Sequence, residues 1–188
     1  MSATDRPVRA HLVEGGTAMS ATSLLDAAFA HHVWATIQLI DACEPLSPDQ
    51  LAHTVPGTRG AIIDTLVHLI ESDTFDLAIV DRGDLADVED VGPDFQALRH
   101  RMRRNGVGWS AFLAGLPDPD EPVPEVDPAD GFRRIATVGM RMAATLDHGT
   151  DHRSQICTAL TTLEIQPPQI GVMQYGVQIG TVEETQPA

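Results

Sequence analysis

The sequence predicts an all-α protein, a four-helix bundle, and three observations carry that expectation. Four segments, each on the order of twenty residues or longer, place apolar residues at helical spacing. Prolines gather in the breaks between those segments. No convincing strand alternation stands out, because aromatic residues are scarce and β-branched residues sit inside helix-period runs. A chain of 188 residues fits a single domain with a real core. The expected division is a flexible leader over 1–20, one domain over 21–180 and a disordered tail over 181–188. Met19 is an alternative start.

The first helix is expected from Ser23 to Cys43. Ser23 and Asp26 resemble a capping box, and Leu24, Leu25, Ala28, His32, Ala35, Leu39 and Ala42 recur along one face. Pro45 and Pro48 end it, and Pro56, Gly57 and Gly60 punctuate the following loop. The second helix spans Ala61 to Val80 and is apolar nearly all round through Ile70, which predicts deep burial. An acidic loop runs to Asp94.

The third helix is expected over Pro93–Leu116, with a kink or break where Gly106 and Gly108 weaken it. The stretch from Pro117 to Gly131, rich in prolines and acids, reads as a surface crossover with room for a short hairpin. The fourth helix is expected over Ile135–Leu163 and is stopped by Pro167-Pro168. Beyond it, Ile170, Val172, Met173, Tyr175, Val177 and Ile179 predict a tail that packs back as a short helix or an extended cap.

Charge narrows the function. Twenty-seven acids against twelve bases leave a net charge of −15, and no lysine is present. Nucleic-acid binding draws on cationic phosphate contacts, so such a surface argues against it and against anionic membranes. The densest basic run, Arg99 to Arg104 with His100, reads as a solvated helix face. No apolar run is long enough to span a bilayer, and none resembles a secretory signal. Cys43 and Cys157 make no disulfide scaffold; two buried free thiols fit a cytoplasmic protein.

The histidines carry the chemistry. His148 and His152 lie four apart, about 400° of helical rotation, so their side chains leave one face and can meet one metal ion. The same spacing also fits a surface pair beside Asp147 and Asp151. His152 continues the inward stripe Met142, Thr145, Gly149, His152, Ile156, Ala159, Leu163, and Gly149 leaves room there for a metal or a neighbouring helix. His68, set between Val67 and Leu69 on the most apolar helix, must also find a polar partner. One histidine from the second helix and two from the fourth would give three nitrogen ligands and open positions for water or substrate.

Asp73, about 140° round from His68, is a poor co-ligand. His31 and His32 lie on the first helix, and His32 could approach the site. Arg153 either contacts substrate or pairs with Asp147 or another acid. His11, His53 and His100 are expected at the surface. Phosphate loops, nucleophile elbows and H-E-x-x-H are missing, and Cys157 is expected off the site.

Three stretches resemble the DinB/YfiT-like superfamily of bacterial metal-dependent proteins. They are His32-Val33-Trp34-Ala35, the Gly60…Thr65-Leu66…His68…Asp73 pattern, and His148…His152-Arg153…Gln155-Ile156 followed by Pro167-Pro168 and Tyr175. The likeness covers about residues 22–178, and the H-x-x-x-H-R-x-Q-I string is its most specific part. Asp151 stands where the family usually has a histidine, and Gly149 and Thr150 replace bulkier residues.

The resemblance implies up-down-down-up connectivity with a long crossover between the second and third helices, and metal ligation by His68, His148 and His152. It implies zinc or nickel, with iron or manganese as alternatives, and a homodimer. Relatives of this type include bacillithiol transferases and mycothiol-dependent maleylpyruvate isomerase. The expected function is therefore a metal-dependent enzyme that activates a low-molecular-weight thiol such as mycothiol for transfer to, or isomerisation of, a small-molecule substrate. The alternative is a non-catalytic metal-binding or stress-response protein.

Overall fold

The computed structural model describes residues 21–82, 91–126 and 131–185. The expected leader over 1–20, residues 83–90 of the acidic loop, 127–130 and 186–188 lie outside the described residues. Among the described residues the fold is mainly α, with six helices and one two-stranded antiparallel sheet.

The helix α1 spans Ala21–Cys43. The loop after it contains a further single turn, α2, Pro48–Leu51. Ser47 caps that turn by accepting from the Gln50 backbone while the Gln50 side chain accepts from the Ser47 backbone, and Pro48 takes the first helical position, where no N–H is needed.

Helix α3 covers Ile62–Val80. Helix α4 covers Phe95–Ala114, capped by Asp94, whose carboxylate accepts from the Ala97 backbone at 2.7 Å. It runs unbroken, without the break that Gly106 and Gly108 could have made. Gly106 and Gly108 serve close packing instead: a Cβ on Gly108 would stand 2.5 Å from Leu77 Cδ2, and one on Gly106 3.1 Å from Val33 Cγ1.

The crossover carries the short hairpin it had room for, but the second strand reaches into the segment expected to open the fourth helix. Strand β1, Pro122–Val126, pairs with β2, Arg133–Thr137, with Val123 opposite Ala136 and Pro124 opposite Ile135. The hairpin thus takes the first residues assigned to the fourth helix. Val123, Val126, Ile135 and Thr137 are β-branched and favour the pleated backbone. Helix α5 therefore starts at Val138 and runs to Thr162, with the Thr137 hydroxyl accepting from the Met140 backbone at 3.3 Å. Backbone bonds from Val138 to Glu121 and from Gly139 to Pro119 tie its start to the preceding loop.

The tail forms helix α6, Val172–Gln178, which packs on α1. His31 Nε2 donates to the Ile170 carbonyl at 2.8 Å, Trp34 Nε1 donates to Gln178 Oε1 at 2.9 Å, and Tyr175 sits against both aromatic rings. Thr181 and Val182 bond back to the Gly176 carbonyl.

The long helices α1 and α3 each pack against both α4 and α5. Their buried side chains form two apolar clusters with a polar layer between them. One cluster centres on Leu39, Ile40, Leu66, Ile70, Met102 and Leu160. The other holds Phe29, Val80, Trp109, Leu113, Val138 and Met142. Along each long helix the change of cluster is marked by buried polar residues: His32 and Thr36 on α1, Asp73 on α3, Asn105 on α4, Thr145, His152 and Arg153 on α5. A polar layer at mid-core is costly unless its members satisfy one another, so its hydrogen bonds decide what it does.

Candidate metal centre

The α3–α5 face brings His68, His148 and His152 together. The Nε2 atom of His148 lies 3.1 Å from that of His68 and 2.9 Å from that of His152. One ligand atom from each histidine falls within 4.8 Å of the others, so the three could hold a metal ion. The rings stand nearly perpendicular to one another, at 74°, 78° and 87°. His152 is buried, whereas His68 and His148 are half-buried and reach the surface.

The donor set fits a divalent cation. Nitrogens about 2.0–2.1 Å from one cation, at angles between octahedral and tetrahedral, stand about 2.9–3.4 Å apart. Without a cation, the contacts around His148 do not close, because a neutral imidazole nitrogen offers one proton or one lone pair. Its Nε2 faces two equivalent atoms and can satisfy one.

Burial, aided by the Arg59 guanidinium and the two neighbouring imidazoles, pushes His68 down to about 4. His148 is lowered by burial first and by His152 next. Both therefore present lone pairs at neutral pH.

The outer atoms are held as well. Gln155 Oε1 lies 3.3 Å from His152 Nδ1 and also accepts from the Arg59 backbone at 2.9 Å, while Gln155 Nε2 donates to Asp151 at 2.8 Å. The amide is thus oriented, and an acceptor at Nδ1 leaves the lone pair of His152 on Nε2, toward the other histidines. Ser72 Oγ lies 3.4 Å from His68 Nδ1.

His32, Asp73 and Arg153 lie apart from this cluster, in a network of their own. His32 Nε2 donates to Asp73 Oδ1 at 3.0 Å, and Arg153 Nη1 donates to His32 Nδ1 at 2.9 Å. Carboxylate on one side and guanidinium on the other fix a neutral imidazole with its proton on Nε2. Asp73 also accepts from Asn105 at 2.7 Å and from Trp109 at 3.0 Å. Arg153 reaches Thr36 and Thr150 rather than the Asp147 expected from sequence, and burial lowers it to about 10. The network therefore joins all four long helices. Gly149 permits it: a Cβ there would stand 2.3 Å from His32 Cε1, so the small residue makes room for the neighbouring helix.

The remaining histidines fall elsewhere. His53 is half-buried, not exposed, and bonds the Thr162 hydroxyl at 2.8 Å; His100 is exposed; His11 lies outside the described residues. Arg99, expected on a solvated face, bridges Asp41 and Glu44, both at 2.8 Å. Cys43 is fully buried and Cys157 half-buried, both unpaired. Among the described residues no helix is long and apolar enough to cross a membrane.

Sequence reasoning missed Thr36, Asn105 and Trp109. The signal for Asn105 was present, since it interrupts the apolar stripe Leu98, Met102, Trp109, Leu113 with an amide. No protein-family model matches the chain, and no curated protein is significantly similar to it.

Proposed function

We propose that the chain is a metal-dependent enzyme of the DinB/YfiT-like type, with α1, α3, α4 and α5 as an up-down-down-up four-helix bundle. His68, His148 and His152 are the ligands of one divalent ion, zinc or nickel first. The observation that carries this reading is the convergence of three Nε2 atoms with separations of 2.9 and 3.1 Å about His148. An ion with three protein ligands lowers the pKa of a bound water or thiol. Gln155 keeps His152 in the ligating tautomer, and the His32–Asp73–Arg153 network positions α5. The proposed chemistry is thiolate transfer from a mycothiol-like cofactor to an electrophilic small molecule, or a thiol-assisted isomerisation, by a homodimer.

The first test is elemental analysis of protein purified without chelator or affinity tag, beside His148→Ala and His152→Ala. Stoichiometric metal in the parent and its loss in both variants is the expected result; equal content in all three ends the proposal. A second reading, a non-catalytic metal-binding protein, draws support from one observation: two cavities of about 1010 and 780 Å³ among the described residues are not lined by the three histidines. Conjugation of monochlorobimane with mycothiol, bacillithiol, glutathione, coenzyme A or cysteine separates the two. A metal-dependent rate above background supports the enzyme, and no such rate with any thiol supports the second reading.

A further inference from the structure

A cavity of about 780 Å³ opens between α1, α5 and α6, a size suited to a small ligand. Much of its wall is apolar, with Leu146, Ile170, Met173 and Tyr175, and Arg153 contributes a cationic group. Arg153 is only 4 % exposed. Its direct partners are His32, Thr36 and Thr150, all uncharged, and the nearest carboxylate of the network, Asp73, is reached only through His32.

A guanidinium carries five N–H donors, and these partners supply three acceptors. A buried cation bordering a cavity without a carboxylate in contact is costly, and it attracts an anion able to take the remaining donors. We propose that this cavity binds a small organic carboxylate whose apolar body lies against α6 and whose carboxylate pairs with Arg153. The site is separate from the histidine cluster, since none of His68, His148 and His152 lines it. Arg153 leaves α5 about 100° round from His152.

Binding of sodium octanoate to the full chain, followed by titration calorimetry, tests the proposal, with 1-octanol and octylamine as uncharged and cationic controls. Octanoate is expected to saturate one site and to bind about tenfold or more tightly than 1-octanol, the contribution of one charge-assisted pair. Octylamine is expected not to bind.

Cys157 provides a local reporter, because it lines the cavity while Cys43 is fully buried. Octanoate is expected to slow alkylation of Cys157 by N-ethylmaleimide. Arg153→Gln would remove the preference for the acid but also disturbs the buried network. Ser154→Glu, at an exposed position on the cavity wall, is the variant that keeps the fold: its carboxylate competes for Arg153, so octanoate binding falls about tenfold or more with the melting temperature unchanged. Equal binding of octanoate and 1-octanol, octanoate binding unaltered by Ser154→Glu, or no saturable octanoate binding would each overturn the proposal. Metal content is read separately, so failure here leaves the histidine reading standing, and the reverse.

Discussion

Two polar clusters share helices α3 and α5, and the fold treats them differently. In the one around Asp73, carboxylate, imidazole, amide, indole and guanidinium meet with donors opposite acceptors, and Asp73, His32 and Asn105 are all buried. In the one around His148, three like nitrogen atoms face one another, two of the rings reach solvent, and no arrangement of protons satisfies every contact. The first cluster is closed around Asp73 and ties the four long helices together, with only Arg153 at its edge keeping donors toward the cavity beside α6. The second lacks a partner that the chain itself does not supply. The difference teaches that a polar group in a core is a structural tie or a binding site according to whether its own neighbours complete it.

The contrast is broken most directly by removing the centre of each cluster in the metal-free protein. Asp73→Ala strands donors on His32, Asn105 and Trp109 together. The expected cost is about 3–5 kcal/mol, the range for breaking a buried charged network. His148→Ala removes a contact that is only partly made, and its cost stays below about 1.5 kcal/mol, the upper end for one ordinary hydrogen bond. Urea unfolding midpoints compare the two, and a larger loss for His148→Ala would reverse the assignment of roles.

Metal addition sharpens the same contrast. Zinc that binds only the folded chain stabilises it by about 2.7 kcal/mol at a hundredfold excess over the dissociation constant. That increment is expected in the parent and in Asn105→Ala, which trims only the closed cluster, and is lost in His148→Ala. Thermal melts with and without zinc read it directly. Gln155→Ala tests the outer support of His152, with metal affinity expected to fall about 10- to 100-fold while metal-free stability changes little. A competitive chelator titration measures that loss; unaltered affinity would remove Gln155 from the account.

The two clusters were also unequally legible in the sequence. His148 and His152 share a helix face by spacing alone, and His68 stands out because an imidazole in an apolar helix needs a partner. The closed network was hidden because its members come singly from four helices, and one polar residue on a helix carries no sign of what it will meet. Asn105 on its apolar stripe was the readable exception. The helical segments were legible from periodicity and the crossover left room for a short hairpin, but the hairpin's second strand was not legible. Ile135 and Thr137 continue a helix-period run and join β2 because they pair with Pro124 and Pro122 across the sheet, a contact that local pattern does not contain. Gly108 weakens α4 by propensity and yet lies inside it, because close approach to Leu77 outweighs the local cost.

A smaller effect is expected one turn beyond the histidines, where Asp76 accepts from the Thr145 hydroxyl at 3.0 Å. Burial pushes its carboxyl up to about 6; Asp73 and Glu125 add to the rise, and Thr145 and Arg141 oppose it. Below the ordinary aspartate value near 3.8 both folded and unfolded chains hold this proton, and the group costs nothing. Between there and about 6 the unfolded chain releases the proton first, so stability falls as pH rises, and above that the cost is constant. Asp76→Asn keeps an oxygen for Thr145 and removes the charge. It should therefore stabilise the protein at neutral pH, on the order of 1 kcal/mol, with the gain fading as the pH is lowered toward 4. Melting temperatures of parent and variant across that range check it. A loss of stability at neutral pH that shrinks on acidification would mean that Asp76 is held as a carboxylate by Arg141, and that this end of the α3–α5 seam is closed in the same way as the Asp73 network.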